Sequence, residues 1–166
     1  MTTLARLAVL YLPLLTACGD GHGPSFSTPA FTFVANGHTV TRQEYPGVAL
    51  GLLDSLDNDL FITGSTDPNT GPFENLGLEL WAFHGLGTYP LHLNQGDGGS
   101  AYYAVTTPIP STYSAHGGPR DYAYVTHYDA KSGSIEGNFT FTGVDGLTGD
   151  TVPVTHGHFI GRIARQ

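Results

Sequence analysis

The heptapeptide Ile135-Glu136-Gly137-Asn138-Phe139-Thr140-Phe141 puts Ile135, Phe139 and Phe141 on one parity, and Glu136, Asn138, Thr140 and the following Thr142 on the other. Successive side chains of a β-strand point to opposite faces, so this alternation predicts a half-buried antiparallel strand. Just upstream, Tyr122-Ala123-Tyr124-Val125-Thr126-His127-Tyr128 alternates in the same way and reaches the heptapeptide through a turn at Ser132-Gly133. Downstream, Val152 to Ile163 reads as the closing strand.

Working outward, the same grammar repeats. Phe31-Thr32-Phe33-Val34 and His38-Thr39-Val40-Thr41 flank Asn36-Gly37, a pair that suits a type I′ hairpin turn because both central residues need positive φ. Val48 to Leu53 and Leu60 to Thr63 are short apolar runs separated by the acidic loop Asp54-Ser55-Leu56-Asp57-Asn58-Asp59. Leu76 to Phe83 is apolar on both parities and reads as a central strand, or as one covering a second apolar layer. Gly87 to Leu93 alternates, but Pro90 assigns it to a sheet edge or a strand start. Ala101-Tyr102-Tyr103-Ala104-Val105 completes the set. With no useful helical periodicity after Cys18, about 8–10 short strands predict an all-β antiparallel sandwich or small barrel, the two being left open.

The N-terminus has the parts of an export signal. Arg6 precedes nine uncharged residues, Leu7 to Leu15, which is short of the roughly 20 that span a bilayer but within the 7–15 of a signal-peptide apolar core. Leu15-Thr16-Ala17-Cys18 follows and holds the single cysteine. It resembles the lipobox of bacterial lipoprotein precursors, which implies lipidation of Cys18 after cleavage before it. A lone cysteine can form no internal disulfide, so no competing role arises for it. The expected organisation is a leader over residues 1–17, a lipidated cysteine and Gly/Ser/Pro tether over 18–29, and one β domain over 30–166.

The set Gly87-Thr88-Tyr89-Pro90-Leu91, Val125-Thr126-His127-Tyr128-Asp129, Ile135 to Phe141 and Val154-Thr155-His156-Gly157-His158-Phe159 resembles, in order and spacing, an uncharacterised family of small bacterial lipoproteins. The likeness spans roughly residues 30–163 and departs at Val40, near where a Trp is expected. It implies the fold and the anchoring, and brings no catalytic residues with it.

Composition narrows the partners. The chain has 166 residues, a formal charge of −8 and only six Lys and Arg, so it lacks the basic footprint of nucleic-acid binding. The expected membrane contact is the lipid on Cys18 alone, on the periplasmic or cell-surface face, with a protein or glycan of the cell envelope as partner. No cofactor is expected. No metal site is assigned; the nearest approaches are His156 with His158, two apart on one strand, and Asp57 with Asp59 in the acidic loop. Val152 and Val154 share parity with those histidines while Phe159 and Ile163 do not, so the strand must change phase between them, with Gly157 the natural place for a bulge. His38, His84, His92, His116 and His127 show no ligand spacing.

Without a Gly-x-Ser-x-Gly elbow and with Cys18 used by the anchor, the chain is expected not to be an enzyme. Tyr122, Tyr124 and Tyr128 are expected on one strand face, with Tyr102 or Tyr103 as candidate neighbours; cross-strand aromatic packing that stabilises the sheet is the favoured reading of that face, and a surface for sugars or a protein partner is the alternative. The expected function is thus a non-enzymatic binding or structural lipoprotein. A lipocalin-like carrier, with a pocket lined by Trp81, Phe83, Phe139 and Phe141, is the alternative, ahead of a metal-dependent enzyme.

Overall fold

The computed structural model describes residues 31–42, 51–53, 57–66, 73–93, 98–106 and 110–165. The leader, Cys18, the tether and Asp54 lie outside the described residues. The described chain is all-β: β1 (Phe31–Ala35), β2 (His38–Arg42), β3 (Gly51–Leu53), β4 (Leu60–Ser65), β5 (Glu74–Leu80), β6 (Gly87–Pro90), β7 (Gly99–Val105), β8 (Ser111–Ala115), β9 (Tyr122–Asp129), β10 (Ser134–Asp145) and β11 (Thr151–Arg165).

The strands form one curled sheet in the order β2-β1-β11-β3-β4-β5-β7-β8-β10-β9-β6, with β10 also paired to β11. Every pairing between these strands is antiparallel except the short parallel one that aligns Ile163 with Gly51, and an isolated parallel bridge joins Leu91 to Gly99. The hairpin β10–β11 is the spine. One layer reads β2-β1-β11-β10-β9-β6. The other, β3-β4-β5-β7-β8, joins the spine at the end of β11 through β3 and at the end of β10 through β8, where Gly143 faces Ala115. The result is a sandwich-like half-barrel. Its core lies between the layers, with Phe33 of β1 in edge contact with Tyr103 of β7 at 5.8 Å.

Local chemistry explains the register. Asn36 and Gly37 adopt φ of 49° and 78°, the positive pair expected of the β1–β2 turn. Val40 is buried opposite Phe33. β6 sits at the end of the strand order, with Pro90 facing Tyr122 on its paired side. β5 is internal, but its apolar character is one-sided: Leu76, Leu78 and Leu80 are buried, while Asn75 and Glu79 face outward. The strand also stops three residues earlier than its apolar run. Ala82 turns at φ 46° as its amide donates to Asp59 Oδ1 at 2.8 Å, and the Phe83 amide donates to the Asn58 carbonyl at 2.7 Å. These bonds pull the chain out of the ladder and lay Phe83 in the core against Tyr89 and Tyr128.

Two slips of phase matter most. In β11 the partner of Phe139 is Gly157 and the partner of Phe141 is Val154, so two residues of β11 oppose Thr140 alone. The phase change expected in this strand is therefore real, but it falls at Thr155–His156, one residue before Gly157, with His156 at φ 53°. The left-handed backbone costs about 1–2 kcal/mol. Without it, either Val152 and Val154 or Phe159 would turn to solvent, at about 1.5–3 kcal/mol for each side chain, so the bulge wins. In β9, Val125 pairs with Gly137 and His127 with Glu136, leaving Thr126 extra. Tyr128 is thereby turned from the Tyr122–Tyr124 face to the core side, 5.0 Å from the Phe83 ring. The expectation of three tyrosines on one face is corrected to two.

Across the spine, Gly137 faces Phe159 and Phe139 faces Gly157. Each ring lies over the opposite glycine: a Cβ on Gly157 would come within 2.4 Å of the Phe139 ring, and one on Gly137 within 2.3 Å of Phe159 and 2.6 Å of the Tyr124 carbonyl oxygen. The glycines are needed for this close approach. Gly157→Ala should lower unfolding free energy by about 1–3 kcal/mol through overpacking, and Gly137→Ala by more because it also meets backbone; urea denaturation of both variants against the parent checks the order.

Candidate functional site

The bulge re-aims His156 onto the outer face of the first layer, and there the chain forms an open cleft of about 370 Å³. Tyr122 of β9, Asn138, Phe139 and Thr140 of β10, and His156 and Gly157 of β11 line it. The period-two pattern of β9 and β10 explains the outward set: Ala123, Val125, Phe139 and Phe141 take the core, so Tyr122, Tyr124 and Asn138 are left outside. Tyr122 is 39 % exposed and Tyr124 45 %, large values for rings in the middle of a layer. Tyr124 faces Asn138 directly across the strands, extending the aromatic surface beyond the cleft.

The polar groups of the cleft are only partly used. Thr140 Oγ1 donates to the Val154 carbonyl at 3.1 Å. His156 Nδ1 lies 3.2 Å from Thr155 Oγ1, which leaves its Nε2 for another partner. Among the described residues, the Asn138 amide and the Tyr122 phenol make no hydrogen bond within the protein. Two residues further along the strands, His158 Nε2 and Glu136 Oε1 are 3.2 Å apart and satisfy each other.

The other expected positions are structural in their visible contacts. His156 and His158 stand on the same layer, but His158 is engaged by Glu136 and His156 by Thr155. Asp59 holds the Ala82 turn, and Asp57 is exposed beside it. Among the described residues, no three of His, Cys, Asp and Glu gather closely enough to hold a metal ion. Tyr102 and Tyr103 belong to the second layer, away from Tyr122. Tyr103 is fully buried, while Tyr102 points outward and accepts from the Asn75 amide at 3.1 Å.

A second polar cluster has no precursor in the sequence reading. Glu74 at the start of β5 is 5 % exposed and accepts from Tyr103 Oη at 2.7 Å. Its two oxygens lie 2.9 and 3.1 Å from Nε2 of His38 on β2. This carboxylate latches the first layer to the second. Burial, with the Glu74 carboxylate beside it, pushes the Tyr103 phenol well above its ordinary 10.0, so it stays a neutral donor. Burial also raises Tyr89, whose hydroxyl donates to the Gly85 carbonyl at 2.9 Å. Residues 36 and 29 positions apart carry no spacing signal, and only the fold joins them.

Comparison with protein-family models, curated proteins and solved structures finds no match. What the structure supplies to the likeness with small bacterial lipoproteins is the small all-β domain itself.

Two measurements test these sites. A phenol whose folded pKa is raised contributes stability that is fully present below the unfolded value, near 10, and is lost as pH rises toward the folded value. Tyr103→Phe should cost about 1–3 kcal/mol at neutral pH by leaving Glu74 short of a donor, and should shrink the loss of stability above about pH 10 to the share carried by Tyr89; denaturant melts across that range read both. His156→Gly, placing glycine at φ 53°, should leave stability unchanged or raise it by up to about 1 kcal/mol, read as a thermal midpoint no lower than the parent's.

Proposed function

We infer that the chain is a lipid-anchored, extracytoplasmic binding domain of a bacterial cell envelope, without enzymatic activity, that meets its partner through the outer face carrying Tyr122 and Tyr124. The carrying observation is the exposure of these two rings, 39 % and 45 %, on a layer whose other face is core, beside an Asn138 amide that makes no hydrogen bond among the described residues. Exposed tyrosines present an apolar body with a polar tip and favour partner contact.

Support for the anchor comes from the sequence: a nine-residue apolar core followed by Leu15-Thr16-Ala17-Cys18. One acyl chain holds a protein marginally, so stable anchoring would rest on more than one. Support for a binding rather than catalytic role comes from the buried acids. Glu74 latches the layers, Asp121 accepts from the Gly118 and Thr142 amides at 2.8 and 2.9 Å, and Asp145 accepts from the Leu147 and Thr148 amides at 2.8 and 3.1 Å. Each is engaged in holding the fold.

The carrier alternative draws less support. Phe139 packs with Phe31, Phe33 and Phe159, whereas Phe83 packs with Tyr89 and Tyr128, and Trp81 contacts His92. Each of these rings is thus packed against neighbouring rings of the protein itself.

Expressed in a bacterial host with an alkyne-bearing fatty acid, the chain should be labelled and sediment with membranes. Cys18→Ala should be unlabelled and leave the membrane pellet; membrane retention of that variant would overturn the anchor. Envelope material bound by the parent should be bound markedly less by a Tyr122→Ala/Tyr124→Ala double variant of unchanged unfolding midpoint, and equal binding would overturn the role of this face.

A further inference from the structure

The cleft beside His156 has a chemistry that narrows its ligand. None of its lining residues is a lysine, arginine, aspartate or glutamate, so no ammonium, guanidinium or carboxylate group stands there to meet an ion. The nearby Glu136 Oε1 is engaged by His158 Nε2 at 3.2 Å. An apolar tail would strand the Asn138 amide, whose polar atoms would lose water without gaining a partner. What suits the cleft is a ligand with an apolar flat face and many groups that both donate and accept.

We propose that this cleft binds a neutral carbohydrate, a pyranose ring lying against Tyr122 while its hydroxyls reach the Asn138 amide, Thr140 Oγ1 and the free nitrogen of His156. This inference rests on the reading of the outer face as the binding surface and names the ligand class. The Asn138 amide is donor and acceptor at once, Thr140 Oγ1 keeps lone pairs after donating to Val154, and the Tyr122 phenol has no hydrogen bond among the described residues. The volume, about 370 Å³, falls at the small end of ligand sites, which run from about 300 to 1,000 Å³. Tyr124, opposite Asn138, offers a second ring to a longer glycan.

The bulge that packing requires also sets the imidazole at this rim. His156 occupies a left-handed conformation that a glycine would hold without steric cost. Bulges of this kind re-aim side chains next to binding and active sites, and strain of this kind clusters at functional positions. The imidazole at the rim of the cleft is what the strained position supplies.

The test uses the full chain purified in mild detergent, titrated with maltotriose, cellotriose and chitotriose by calorimetry and saturation-transfer NMR. At least one sugar should bind, and Tyr122→Ala, Asn138→Ala and His156→Gly should each weaken it about tenfold or more, a change of about 1.4 kcal/mol per decade. Thr112→Ala, exposed on the other layer, should bind as the parent does. Tyr122→Phe keeps the ring and should retain most of the affinity, which separates loss of stacking from loss of fold. Absence of binding by all three sugars, or binding indifferent to Tyr122, Asn138 and His156, overturns the proposal. If the sugars fail while envelope material still binds through Tyr122 and Tyr124, the face remains a binding surface and its partner is a protein; if both fail, both readings fall together.

Discussion

The two-for-one slip at Thr155–His156 is the constraint on which the structure turns. β11 must pair with β10 along one edge, and with β1 and then β3 along the other. It must also keep Val152 and Val154, and then Phe159, toward the core. A strict alternation cannot do both, because Val154 and Phe159 are an odd number of residues apart. One left-handed residue costs less than turning an aromatic ring or two valines to water. The same slip sets His156 at the rim of the outer cleft, so a requirement of packing also builds the candidate site.

The spine carries a second economy. Gly137 and Gly157 each make room for a phenylalanine of the facing strand, and Phe139 then reaches Phe31 at 5.3 Å. With Phe31, Phe33, Tyr103, Phe141 and Phe159 all fully buried around it, the interior is occupied by the protein's own rings. On the outside, the alternation of β9 and β10 leaves tyrosine, asparagine and threonine. The Glu74 latch belongs to the same logic: a carboxylate placed between layers is tolerable because a phenol and an imidazole meet it.

Much of this was legible residue by residue. The period-two patterns of 122–125 and 135–141 assign their faces correctly, Asn36-Gly37 forms the positive-φ turn, and Pro90 marks an edge. Even the change of phase in the last strand could be read from the parity of its valines and Phe159. Tyr128 could not be placed, because Thr126 is extra only relative to Glu136 and Gly137 on the neighbouring strand. The end of β5 was hidden for a similar reason: Leu80-Trp81-Ala82-Phe83 is continuous apolar sequence, and the bonds that stop it come from Asn58 and Asp59.

By itself, then, the sequence determined the all-β class and the alternation that sorts inward from outward residues, since both are written in neighbours along the chain. Only the tertiary structure decided which strands adjoin, where each register slips, and which side chains converge. Tyr122, Asn138 and His156 lie on three different strands, and Glu74, His38 and Tyr103 on three others. Bulges and cross-strand contacts are properties of pairs of strands, and no periodicity within one strand can encode its partner's offset.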